Sequence, residues 1–330
     1  MSKTGKIVLW AIVAVILAAV MFWGIIGGSA IQGFFGNIAN TITGISAEDF
    51  VDNLPDDAQK NVEFEKPVAD IKEISMRFVD ENIEIVPTDE NVIRVEETSS
   101  HKIEEEDVMR YGVKNGELVI QSGRNGKTFL NWGRSYRIDV KVMVPKSFAG
   151  VLDIQTISGE LSAETINAAR ALFSTTSGNI SVAGGMCDNL SLDSTSGRID
   201  ATDIQAEKAS ADTMSGEITL KGTFGYIEGD STSGSVKIEA ANVQEVSTDT
   251  TSGSIEVVCV DSDLLEKIDA NSVSGSVRIV LPDETGFKLS YDTVSGSTDN
   301  DFAMKNDQYS DGRVSINVDT VSGSLKILQK

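Results

Sequence analysis

Between residues 151 and 330 apolar and polar positions alternate in short bursts that restart at regular intervals. Two residues after each of nine Ser-Gly pairs stands Leu161, Ile180, Ile199, Ile218, Val236, Ile255, Val277, Thr298 or Leu325. Two further on, most copies are aliphatic or alanine again, as in Val182, Leu220, Ile238, Val257, Ile279 and Ile327. Ahead of the pair, Leu190 and Leu192, or Ile316 and Val318, alternate in the same way. Period-two alternation over such lengths predicts strands, two to each unit, meeting at a Ser-Gly corner where glycine tolerates a positive φ.

The nine glycines are Gly159, Gly178, Gly197, Gly216, Gly234, Gly253, Gly275, Gly296 and Gly323, spaced 19, 19, 19, 18, 19, 22, 21 and 27 residues apart. A Ser or Thr stands three residues before every one, from Thr156 and Thr175 to Thr293 and Thr320. A unit of ~19 residues cannot bury an apolar face alone, whereas stacked copies can. The expected fold is all-β, a single-stranded parallel β-solenoid of about nine coils. At ~4.8 Å per layer these extend ~43 Å, with the Ser and Thr columns stacked as hydroxyl ladders.

Residues 63–150 are β-rich without that period. "IKEISMRF", "NIEIVP", "NVIRVEE", "ELVIQS" and "YRIDVKVMVP" have strand length and pattern, and are expected to form irregular leading coils covering the first edge. At the far end the chain runs seven residues past Gly323. That predicts a bare last coil, guarded against strand addition by Lys326 and Lys330 or covered by a partner.

Ile7 to Ile26 is an uncharged run of twenty residues with Trp10 and Trp23 near its two ends, long enough to cross a membrane as a helix. Lys3 and Lys6 precede it and no basic residue follows until Lys60, so residues 1–26 read as a cytoplasmic tip and anchor with the remainder outside the cell. A cleaved signal peptide ending at Gly28-Ser29-Ala30 is the alternative, and the run's length favours the anchor. Residues 27–62 carry Ile31, Phe34, Phe35, Ile38, Ile42 and Ile45 at helical spacing, then an acidic linker with Pro55.

The runs "TISGELSA", "TTSGNISV", "STSGRIDA", "TMSGEITL", "STSGSVKI" and "TTSGSIEV", preceded by "RIDVKVMVPKSF", resemble a bacterial family of adhesin-like domains of unknown function. The resemblance covers residues 65–330. It implies a parallel β-solenoid, often behind one membrane helix and sometimes encoded beside cell-envelope-stress genes. It implies no biochemical activity.

Composition narrows the function further. The chain carries 28 basic against 50 acidic residues, a net charge of −22, which argues against nucleic acid as a partner. Four residues before the repeat glycine stand Asp193, Asp212, Asp230, Asp249, Asp292 and Asp319, with Gln155, Ser174 and Asn271 completing the column. Stacking brings their carboxylates to ~5 Å, which a divalent cation such as calcium would relieve. The alternative is a solvated column bonded to nearby backbone and hydroxyl groups, with no cofactor at all. Acids that repeat down a coil differ from the one-off pair of a glycan-cleaving enzyme. His101, the only histidine, lies in the acidic stretch "SSHKIEEED", and no Gly-x-Ser-x-Gly elbow occurs, so no catalytic activity is expected. "LPDETG" at 281–286 has one residue too many for a sortase signal and no apolar tail. Cys187 and Cys259 fall nearly four coils apart, too far for a disulfide, and read as small buried residues.

One stretch breaks the acidic rule. Residues 123–137 read "GRNGKTFLNWGRSYR", with Arg124, Lys127, Arg134 and Arg137 and no acid. Its glycines mark a loop, and Phe129, Trp132 and Tyr136 lie beside the cations, a pairing suited to anionic polymers, lipid headgroups or sugar rings. The candidate contacts are Arg124, Lys127, Phe129, Trp132 and Arg134; the alternative is a hairpin tucked onto the first coil. The expectation is a non-catalytic extracytoplasmic interaction module for an envelope polymer, glycan or membrane protein. An envelope-stress accessory acting on membrane partners through its anchor stands second, a carbohydrate-active enzyme third.

Overall fold

The computed structural model describes residues 54–123 and 137–330, all within the unit Asn53–Lys330. The apolar run 7–26 and the residues up to 53 lie outside the described residues, as does the loop 124–136. Among the described residues no helix is long and apolar enough to cross a membrane.

The described strands join in one sheet that winds as a solenoid. In a regular coil the short strand Leu161–Ala163 leads into the longer Ile166–Thr175, whose pairing with Gly185–Ser194 breaks at Ala169. Leu161, Ala163, Ile166 and Ala168 are buried, then Ala171, Phe173 and Thr175. The inward phase thus slips by one residue between Ala168 and Ala171, turning the chain a second corner. Successive coils stack in parallel register, so that Leu161, Ile180, Ile199, Ile218, Val236, Ile255, Val277 and Leu325 form one buried column. This is the column that period two predicted.

The Ser-Gly corner has a different cause from the one expected. None of the nine repeat glycines has a positive φ. Their constraint is proximity. A Cβ on Gly178, Gly197, Gly216, Gly234, Gly253 or Gly275 would sit 1.6–1.9 Å from the carbonyl oxygen of the repeat glycine one coil earlier. Nor do the buried hydroxyls donate to one another along the regular coils. Thr175 Oγ1 accepts the Gly178 N–H at 3.0 Å and donates to the Gly159 carbonyl at 3.3 Å. Ser194, Thr213, Ser231 and Thr250 repeat both bonds in their own coils. Each hydroxyl therefore closes its own corner and ties it to the preceding one, leaving no buried donor unmade.

The order of coils in space departs from their order in sequence at both ends. Val314–Thr320 pairs in parallel with Lys267–Ser272 on one side and Phe287–Thr293 on the other. Leu325–Gln329 lies likewise between Val277–Leu281 and Thr298–Asn300. The chain passes over one layer, lays down the outermost coil, and returns to fill the gap. The expectation of a bare final coil guarded by Lys326 and Lys330 is therefore wrong: Lys326 lies in register between Arg278 and Asp299, and the free edge belongs to residues 287–300. That edge coil sets Phe287, Leu289 and Tyr291 inward opposite Val314, Ile316 and Val318, and turns polar towards its corner and short strand. Thr293 and Thr298 are exposed, and the aromatic cluster of Phe287, Phe302 and Tyr309 closes its corner.

The N-terminal end uses the same device in mirror order. Glu73–Arg77 and Asn82–Thr88 form a coil lying between Val151–Ala163 and the outer coil of Glu117–Gln121 and Ile138–Pro145. Its corner lacks Ser-Gly, and the fully buried Glu81 substitutes by accepting the N–H groups of Val79 and Asp80 and the Ser122 hydroxyl. Pairing is not parallel throughout. Glu63–Pro67 with Val92–Ser99, the latter with Ile138–Pro145, Arg110–Lys114 with Glu117–Gln121, and Gln59–Lys60 with Arg110–Lys114 are antiparallel, as is Phe287–Lys288 with Gln308–Tyr309. Antiparallel strands thus cover the first end of the parallel stack, hiding edges that would pair with other chains, and at the other end cover only Phe287–Lys288.

Cys187 and Cys259 are buried free thiols, and desolvation pushes each up to about 12.

Candidate functional site

The longest paired run of each coil, residues 170–175 in the coil of Gly178, presents three polar columns on its outer side, four, six and eight residues before the glycine. The aspartate column is the innermost of these along the strand. In space it runs Gln155, Ser174, Asp193, Asp212, Asp230, Asp249, Asn271, Asp319, Asp292, so the interleaved coil places Asp319 ahead of Asp292.

Four of these six carboxylates are withdrawn from solvent, whereas Asp319 and Asp292, on the last two layers, are exposed. Asp230 is 5% exposed, and Asp193, Asp212 and Asp249 are half-buried between neighbouring columns. They bond in sequence. The Ser191 hydroxyl donates to Asp193, Asp193 and Asp212 hydrogen-bond to each other, and the Asp249 N–H donates to Asp230 at 2.9 Å. Asn271 continues the row, its Nδ2 donating to Asp249 at 2.8 Å and its Oδ1 accepting the Asp319 N–H at 3.2 Å. A bond between two carboxyl groups needs a proton, and burial supplies the reason it stays: desolvation raises Asp193 and Asp212 together. Desolvation, with repulsion from Asp249 and Asp212, pushes Asp230 up to about 8. Protonation favoured by burial would lessen the same crowding for which the sequence suggested calcium. Among the described residues no group of three or more His, Cys, Asp or Glu is arranged to hold a metal ion.

The column eight residues before the glycine carries features that the repeat pattern concealed. Coil by coil it reads Val151, Arg170, Asn189, Lys208, Tyr226, Glu245 and Lys267. Beside it, six before the glycine, run Leu172, Ser191, Ser210, Glu228 and Ser247. From Arg170 to Glu245 the first column, with the second beside it, lines an open groove of about 580 Å³. Lys267 is held by Glu245 at 3.0 Å and by Asp269, whereas Arg170 and Lys208 are exposed and, among the described residues, have no carboxylate in ion-pair range. Tyr226 is 38% exposed, its hydroxyl donates to Gln244 at 2.8 Å, and Lys208 Nζ stands 5.9 Å from its ring centre. These residues recur at the spacing of the repeat but share no residue type, so the repeat pattern does not single them out.

The sequence-predicted contacts Arg124, Lys127, Phe129, Trp132 and Arg134 lie outside the described residues, and the structure neither joins them to this groove nor parts them from it. Arg137, at the edge of that loop, pairs with Asp139 at 2.8 Å. His101 sits on an exposed turn with Ser100 Oγ 3.0 Å from its Nδ1.

A family model described as Toastrack DUF4097 matches residues 71–328, spanning both the leading coils and the Ser-Gly repeats. The chain belongs to this family. Among solved structures, this Toastrack chain is similar to a candidate adhesin from Parabacteroides distasonis ATCC 8503, at 15% identity and a TM-score of 0.49 over 83% of this chain and 99% of the other. A candidate lipid binding protein from the same organism matches at 21% identity and a TM-score of 0.47, over 82% and 97%. A candidate cell adhesion protein from Clostridium sporogenes ATCC 15579 matches at 13% identity and a TM-score of 0.26, over 82% and 100%. No curated protein matches the chain.

Proposed function

We propose that this Toastrack chain is a non-catalytic interaction module, held at the outer surface of a bacterial membrane by residues 7–26, which offers the outer face of its long paired runs to an envelope component. The observation that carries the reading is the groove: two cations with no carboxylate partner among the described residues, Arg170 and Lys208, stand exposed beside Tyr226 in a chain of net charge −22. In so acidic a chain, cations left without partners favour an occupant that supplies the charge. The parallel stack makes the face rigid, because every backbone group beneath it is already spent on a neighbouring coil.

The test is co-sedimentation of the full chain, in detergent micelles, with purified envelope fragments. The parent should sediment with them, and Arg170→Glu with Lys208→Glu should not. Equal sedimentation of parent and double variant would remove this face from the reading. Protease added to intact cells should strip the mass beyond residue 46 and spare the first thirty residues; complete protection would overturn the topology.

A further inference from the structure

The groove narrows the chemistry of its occupant. Its floor is the face of a sheet whose N–H and C=O groups are paired within the stack, so an occupant is read through side chains alone. An extended peptide gains its affinity from unpaired backbone at a sheet edge, which this face does not offer. What it does offer is a ruled set of donors: Arg170, Asn189 and Lys208 on successive coils, with Ser191 and Ser210 beside the last two. Successive coils lie ~4.8 Å apart, close to the length of one sugar ring in an extended chain, and the two cations are two coils apart, ~10 Å.

We infer that the groove binds a linear acidic oligosaccharide in which charged and neutral sugars alternate, one carboxylate meeting Arg170 and the next but one ring's carboxylate meeting Lys208. Asn189 faces the neutral ring between them, and the serines take ring hydroxyls. Tyr226 lies one coil beyond Lys208, its hydroxyl pinned by Gln244, and presents its exposed ring to the next sugar. Glu228 and Glu245 at that end accept sugar hydroxyls. On the same face, desolvation favours the protonated form of Asp193 and Asp212, which lowers their repulsion of an anionic occupant. The inference rests on the proposed function and specifies its ligand class.

The experiment is calorimetric titration of the full chain in detergent with two probes of like length, hyaluronan hexasaccharide, which alternates uronate and N-acetylglucosamine, and chitohexaose, which is neutral. Saturable binding of the first, weakened by salt, and at least tenfold weaker binding of the second are expected. Arg170→Gln with Lys208→Gln should lose at least tenfold for hyaluronan hexasaccharide without moving the thermal melt, both side chains being exposed. Lys288→Gln, in the same column on the outermost coil, should bind as the parent does. Equal affinity for the two probes, or an unchanged affinity in the double variant, overturns the inference. Should neither probe bind while envelope sedimentation still requires Arg170 and Lys208, the inference falls and the proposed function stands. If sedimentation is indifferent to both cations as well, both fall.

Discussion

Asp230 makes the stability of this solenoid depend on pH in an unusual direction. Its carboxyl is 5% exposed and stands at about 8 against an ordinary 3.8. Between those values the folded chain holds a proton that the unfolded chain has released, so stability is greatest in acid and falls as pH rises towards 8. Each pH unit in that window is worth ~1.4 kcal/mol, which places the cost of carrying an ionised Asp230 above pH 8 on the order of 5 kcal/mol. Asp230→Asn should remove it. The fold already shows that an amide fits this column, because Asn271 accepts the Asp319 N–H and donates to Asp249. An amide at 230 can keep the bond from the Asp249 N–H and donate towards Asp212. Urea unfolding of parent and variant at pH 5 and pH 9 provides the assay. The parent should lose several kcal/mol between the two, and the variant should lose markedly less. A parent whose stability is flat or rises from pH 5 to pH 9, or two curves that run parallel, would refute the argument.

Gly234→Ala should cost ~3 kcal/mol or more, since its Cβ would lie 1.6 Å from the Gly216 carbonyl oxygen, whereas Gly229→Ala, whose nearest neighbour is a Val236 methyl at 3.3 Å, should cost far less; similar melts for the two would refute close stacking as the reason for the glycine column. Thr175→Val should cost ~1–3 kcal/mol by orphaning the buried Gly178 N–H and the Gly159 carbonyl, and a neutral result would show that the hydroxyl is not the corner's tie. Deleting residues 314–330 should expose the strand Lys267–Ser272 and cause concentration-dependent association; a truncated chain that stays monomeric with the parent's melt would refute the interleaved order.

The regular coils were legible because only one face is buried there: a slip of one residue would turn Ile180, Ile199 and Ile218 out into water, so the sequence must state the register at every turn. The glycine column was visible, but its cause was not, since proximity between coils and a positive φ both select glycine. Coil order at the ends was hidden for a different reason. All nine corners obey one pattern, and a pattern common to every coil cannot say which coil lies beside which. The single clue was Thr298, the one polar residue in an otherwise aliphatic column, which marks the coil with no neighbour on its far side. The candidate groove was illegible for the opposite reason. Arg170, Asn189, Lys208 and Tyr226 share a column and share no chemistry, so only stacking shows them to be neighbours.

The interleaved end has a consequence for synthesis. Residues 287–300 leave the ribosome before residues 314–329, yet their final place is outside them. A nascent chain that has reached residue 300 holds two coils with matching corners and could lay the second directly on 267–281. That premature contact would set Thr298 against Val277, a weak match that buries a hydroxyl where Leu325 belongs. The poor fit keeps the gap open for the later segment, which then zips between two waiting surfaces and gains hydrogen bonds on both sides in one event. A product lacking the last segment would leave Lys267–Ser272 and Val277–Leu281 without their outer parallel neighbours.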